Sequence, residues 1–142
     1  MSVQDILVQK GQHIEFIGPD VKIAQAILHL ASKRIGALLV MDDARRILGI
    51  LSERDIIRAL VAGSHALDDH VRDHMTSVVV TCPLNTSVAE VMDMMTRGRF
   101  RHIPVVNDDE LVGVISIGDV VKHRLAEMES EKSAIIAYIA AG

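Results

Sequence analysis

An α+β fold of two β-α-β-β-α repeats packed around a pseudo-two-fold axis is what this sequence predicts, on three observations. Residues recur at a spacing of 64: Pro19 and Pro83, Gly49 and Gly113, Ser52 and Ser116, Asp55 and Asp119. Apolar runs of strand length alternate with apolar residues at helical spacing, in the same order in both halves. The 142-residue chain is 49% hydrophobic but holds only three aromatic residues, Phe16, Phe100 and Tyr138, so its core must be Ile, Val, Leu, Ala and Met. A period this long, seen twice, argues for an internal duplication rather than a solenoid array. Neither half has enough surface to bury a core well alone, so the two are expected to pack together.

The elements follow in order. Residues 1–12 read as a short helical or irregular lead-in stopped by Gly11. The first repeat, 13–70, opens with alternation over His13–Ile17, a strand ended by Gly18-Pro19-Asp20. Ile23, Ala24, Ile27, Leu28, Leu30 and Ala31 recur at helical spacing, giving roughly three turns closed near Gly36. Ala37–Met41 is a continuous apolar run, as for a strand covered on both faces. Asp42–Arg46 makes a turn, Ile47–Leu51 the return strand, and Ser52-Glu53-Arg54-Asp55 opens a helix to about Val61. Ala62–Thr76 is a polar connector, helical around Val71–Met75. In the second repeat, 71–126, Val78–Thr81 reads as a strand broken by Pro83. Ser87 caps a helix with Val88, Val91, Met92 and Met95 on its inner face, closed by Gly98. Strands follow at Ile103–Val106 and Leu111–Ile115, around the acidic turn Asn107–Glu110, and a helix runs from Ser116 to about Leu125. The tail, 127–142, continues as one or two helices whose Ile135, Ile136, Tyr138 and Ile139 are apolar enough to dock on a neighbour.

Composition excludes several classes. No apolar run approaches the ~20 residues needed to span a bilayer. The start MSVQDILVQKGQ lacks the charged-then-apolar pattern of a secretion signal. A net charge of -4 gives no bulk attraction for nucleic acid or anionic lipid. The single cysteine, Cys82, excludes an internal disulfide and fits a reducing compartment. A cytoplasmic protein is the expectation, with neither nucleic acid nor membrane as partner.

Chemistry concentrates in the repeated Gly-x-x-Ser-x-x-Asp: Gly49, Ser52, Asp55 and Gly113, Ser116, Asp119. Ser-x-x-acidic after a strand is a capping box, in which hydroxyl and carboxylate satisfy the first turn's N–H groups. The same turn also brings N–H groups, a hydroxyl and a carboxylate together, a set that suits a nucleotide's phosphate and ribose hydroxyls. Both readings stand, since one Ser can cap while the Asp faces outward. A second cluster is Arg97, Arg99, Arg101 and His102. As a solvated helix end it complements the dipole near Gly98; beside the Ser116 turn, Arg101 and His102 could instead grip a phosphate. The cluster is too short for a duplex-binding face. His70 and His74, four apart with His65 nearby, lack the cysteines or carboxylates of a metal site and read as connector surface. Cys82 has no base partner for nucleophilic catalysis, and no P-loop or Gly-x-Gly-x-x-Gly occurs. No metal and no catalytic residues are expected.

With both copies in hand, the sequence resembles a tandem pair of CBS domains, a Bateman module, of the small stand-alone bacterial type. The residues that carry this are GILSERD (49–55), GVISIGD (113–119), FRHIPVV (100–106), GALLVMDD (36–43) and VRDHMTSVVVTCP (71–83). The resemblance implies two repeats with a cleft between them for adenosine-containing ligands. It places ribose on Asp55 and Asp119, with Ser52 and Ser116 helping at ribose or phosphate. Arg101, His102, Ile103 and Pro104 would line the adenine and phosphate region, as would Gly36, Ala37 and Leu38 in the first half. Ile17, Val80 and Thr81 would edge the base. The first half departs from the pattern: Leu39 stands where Pro104 does, and Gly36-Ala37 replaces Arg101-His102, so Arg54 or the other half must supply any phosphate grip there. The expected protein is thus a non-catalytic regulatory module, with no catalytic cofactor, binding an adenine nucleotide. AMP comes first, with ADP, ATP or NAD as alternatives. A homodimer and an unknown regulated protein are the expected partners. The rival is a structural or oligomerisation module whose Ser/Asp pairs only cap helices.

Overall fold

The computed structural model describes residues 1–63 and 65–141; Ser64 of the expected connector and Gly142 of the expected tail lie outside them. The chain forms two compact units, one of Ile14–Val80 and one joining Met1–His13 to the chain from Thr81 onward. The sequence pattern restarts near residues 13 and 71, but packing divides the chain elsewhere. Residues 71–80 join the first unit, and residues 1–13 join the second.

In the first unit, β1 (Phe16–Ile17) runs parallel to β2 (Ala37–Met41), which pairs antiparallel with β3 (Ile47–Ser52). Between β1 and β2, α2 (Ile23–Lys33) buries Ile23, Ala26 and Leu30, one stripe at three- and four-residue spacing. Leu28 and Ala31, expected on that face, are exposed, Leu28 by 69%; the stripe is narrower than the apolar pattern because its other side meets no sheet. The helix α3 (Glu53–Ala62) buries Asp55, Ile56 and Ala59. A 3-10 turn at Ala66–Asp68 and the short α4 (Val71–His74) complete the unit. His74 is tied to Asp69 at 2.7 Å. The core gathers Ile17, Ile23, Leu30, Leu38, Val40, Leu51, Ile56 and Val71.

The second unit begins with α1 (Val3–Lys10). Its capping box is Ser2 with Asp5, it buries Val3, Ile6 and Leu7, and Gly11 ends it at φ 92. Backbone bonds hold it to the far repeat: Val3 N–H to Thr86 O at 2.9 Å and Val88 N–H to Met1 O at 3.1 Å. The helix α5 (Val88–Gly98) is capped by Ser87 with Glu90 and buries Val88, Val91 and Met95. Met92, expected inside, is exposed. β4 (His102–Asn107) and β5 (Glu110–Ser116) pair antiparallel about the turn residues Asp108 and Asp109, both left-handed as a two-residue hairpin loop requires. One helix, α6 (Ile117–Ala141), then runs 25 residues.

A further expectation needs correction. Val78–Thr81 is not a strand: only Cys82 reaches the sheet, bridging Val105 through Cys82 N–H to Pro104 O and Val106 N–H to Cys82 O. Val78, 84% exposed, has no strand beside it to pair with. The helix α5 does end at Gly98, as expected, and Arg99 turns left-handed after it at φ 55, as Arg34 does after α2. A Cβ on Gly98 would stand 2.0 Å from the Phe100 ring, so the glycine makes room for that ring.

Candidate functional site

Each unit carries one copy of the strand-to-helix turn, and in each the Ser/Asp pair is a formed capping box. In the first, Asp55 Oδ2 accepts from Ser52 N–H at 2.9 Å and Ser52 Oγ at 3.0 Å, while Asp55 N–H donates to Ser52 Oγ at 3.3 Å. In the second, Asp119 Oδ2 accepts from Ser116 N–H at 2.8 Å, and Asp119 N–H donates to Ser116 Oγ at 3.1 Å. The strand entry closes each turn further. Gly36 O accepts from Glu53 N–H at 3.0 Å, and Arg101 O from Ile117 N–H at 2.8 Å. The helix starts are therefore less open than the motif suggests: the first and third N–H groups already have partners, so side chains must supply most of any anion's donors.

Beyond its serine, each motif carboxylate meets groups that differ in kind. Asp55 is 7% exposed, and its Oδ1 accepts from Thr76 Oγ1 at 3.1 Å, with Arg58 Nη1 at 3.9 Å. Asp119 is more open, its side chain 22% exposed, and Lys10 Nζ stands 2.6 Å from Oδ2. The same ammonium donates to Val114 O at 2.7 Å. Partial burial by itself would raise the Asp119 carboxyl, but the Lys10 ammonium and the Ser116 donors outweigh it, and the group titrates below its ordinary 3.8. No hydrogen bond reaches Asp119 Oδ1 among the described residues.

The hairpins set what surrounds these carboxylates. Ala37 pairs with Ser52 across β2 and β3, and His102 with Ser116 across β4 and β5. Gly36, Ala37, Ser52, Arg54 and Asp55 thus gather at one turn, and Arg101, His102, Ser116 and Asp119 at the other. Arg101 is exposed, and Arg54 is exposed on the first turn of α3. Ile17, Leu38 and Ile103 are core residues whose side chains pack their own units, and Pro104, next to Ile103 on β4, is buried. Val80 and Thr81 are exposed at the unit boundary, next to the Cys82 bridge. Burial pushes the Cys82 thiol up, although a bond with Thr86 works against this. Among the described residues no group of His, Cys, Asp and Glu is arranged to hold a metal ion, and no helix is long and apolar enough to cross a membrane.

Sequence reasoning did not single out Lys10 or Thr76 for these sites. Neither lies in a motif, and each reaches its carboxylate only through tertiary packing, over 109 residues for Lys10 and 21 for Thr76.

The CBS domain model matches residues 3–62 and 71–126. A CBS domain-containing protein of Arabidopsis thaliana, CBSX3, mitochondrial, is 31% identical over 99% of this chain and 73% of its own. The crystal structure of the CBS-domain containing protein ATU1752 from Agrobacterium tumefaciens superposes with a TM-score of 0.86 at 43% identity, covering 87% of this chain and 99% of that one. The fold also matches the CBS domain pair of protein MJ0100, crystallised with 5'-methylthioadenosine and S-adenosyl-L-methionine, at TM-score 0.75 and 24% identity over 86% and 98% of the two chains.

Proposed function

The chain belongs to the CBS domain family, and from that premise we propose that it is a non-catalytic, cytoplasmic regulatory module that binds an adenine nucleotide, AMP first, at its strand-to-helix turns. One observation carries this reading: among the described residues Asp119 Oδ1 has no hydrogen-bond partner, and an exposed Arg101 lies at the same turn. A carboxylate in that state accepts from ribose hydroxyls, and a guanidinium beside it meets the phosphate. Adenosine-type ligands in the MJ0100 pair support the ligand class. Asp55, with both oxygens engaged and little exposure, is the weaker site. A ligand that binds one packing of the module better than another shifts the population, and a partner protein senses the shift.

A thermal-shift panel of AMP, ADP, ATP, NAD, S-adenosylmethionine and adenosine tests the reading, because ligands that bind the native state raise its melting temperature. AMP should raise it, Asp119→Ala should lose more of that rise than Asp55→Ala, and Arg101→Ala should lose AMP far more than adenosine. No rise at millimolar ligand would leave only the helix-capping role.

The long helix supports the homodimer. Val121, Leu125, Met128, Ile135 and Ile139 form a heptad-spaced seam, each 48–69% exposed. Sedimentation should find a dimer that Ile135→Glu converts to monomer; an unchanged mass would remove this interface.

A further inference from the structure

The ammonium of Lys10 is held from two sides. It donates to Asp119 Oδ2 at 2.6 Å and to Val114 O at 2.7 Å. An ammonium has three donors and no acceptor, and the third has no partner among the described residues. The Lys10 side chain is 35% exposed, so a solute can reach it. The helix that presents it is fixed by the burial of Val3, Ile6 and Leu7, and the flexible lysine stem is pinned at its tip as well. Beside this donor lies Asp119 Oδ1, an acceptor without a protein partner among the described residues. A placed acceptor next to a placed donor is complementary to two adjacent hydroxyls: one donates to the carboxylate while the oxygen of the other accepts from the ammonium.

We infer that Lys10 is a further ligand contact of the Asp119 site, and that Asp119 and Lys10 together read a vicinal diol. The inference rests on the reading of Asp119 as a sugar site and sharpens its substrate class to ribonucleosides and ribonucleotides with free 2′ and 3′ hydroxyls. At the Asp55 site the exposed Arg58 stands 3.9 Å from Oδ1, outside hydrogen-bond reach, so among the described residues no ammonium is pinned there as Lys10 is. Thr76 takes the corresponding place there, and its single hydroxyl proton is already given to Asp55. The two sites therefore differ in how strongly they reject a deoxy sugar.

Calorimetric titration of AMP and of 2′,3′-dideoxy-AMP into the wild type, Lys10→Met and Lys10→Arg forms the test. The wild type should prefer AMP. Losing a charge-assisted hydrogen bond to the diol should reduce that preference about tenfold in Lys10→Met, with dideoxy-AMP binding unchanged and Lys10→Arg restoring part of the preference. Equal weakening of both ligands in Lys10→Met would mean that Lys10 only fastens its helix, and an intact preference would mean that it does not touch the sugar; either overturns the inference alone. A wild type that binds both ligands equally, or neither, overturns the sugar reading of Asp119 and this inference with it.

Discussion

Ile50 and Val114, 64 residues apart, both lie on the strand that leads into a motif helix, and the chain treats them differently. At Ile50 the backbone of Thr76 exchanges two hydrogen bonds with the strand, each 2.9 Å, and the Thr76 hydroxyl continues to Asp55. At Val114 a single ammonium bonds the strand carbonyl and continues to Asp119. The glycine before each tells the same story. A Cβ on Gly49 would stand 2.6 Å from the Thr76 carbonyl, and one on Gly113 would stand 2.6 Å from Leu7 Cδ2. One unit is closed by neutral backbone, the other by a helix carrying a cation. Equal motifs thus have unequal surroundings: Asp55 is enclosed with both oxygens engaged and its cation, Arg58, at 3.9 Å, whereas Asp119 holds an ammonium at 2.6 Å and, among the described residues, has no hydrogen bond to Oδ1.

The largest effect should come from breaking the helical closure. Leu7→Ala removes a fully buried side chain and should cost about 3 kcal/mol in urea unfolding. The same substitution opens space at Gly113, so Gly113→Ala should be less harmful in the Leu7→Ala background than in the wild type. Gly49→Ala has no such remedy, because the clash is with backbone; it should cost about 1–3 kcal/mol and exceed Gly113→Ala, whose neighbour is a movable side-chain tip. If the two glycine variants are equally destabilised, the contrast between backbone and side-chain closure is lost.

The smallest effect is in acid. Asp119 has its folded value below the ordinary 3.8 because of Lys10 and Ser116. The folded state therefore holds its proton less readily than the unfolded chain. The stability this adds is present above the ordinary value and disappears as pH falls through it towards the lower folded value. The stability difference between wild type and Lys10→Met, measured by urea unfolding at pH 6 and again near pH 3, should shrink at the lower pH. A difference that stays constant would show that the ion pair contributes nothing to stability.

Much of the fold could be read directly from the residues. Ser52 with Asp55, Ser87 with Glu90 and Ser116 with Asp119 mark three helix starts, and all three capping boxes form. Both hairpins lie where their apolar runs and turns place them, because such signals act between residues three or four apart or on adjacent strands. The signals failed where the outcome depended on what a segment would meet. Val78–Thr81 has strand composition without a strand to pair with, and Leu28 has the right spacing without a surface to cover.

The sequence by itself therefore determined the duplicated β-α-β-β-α pattern, the α+β class, the family, and the two Ser/Asp turns with Arg101 beside only one of them. Tertiary structure alone decided that residues 1–13 complete the second unit, that Thr76 saturates Asp55, and that Lys10 neutralises Asp119 while leaving it an open oxygen. The division has a physical cause. Caps and turns are fixed by neighbours along the chain, whereas the partner of a buried carboxylate is fixed by which distant surface packs against its strand, and no local pattern encodes that choice.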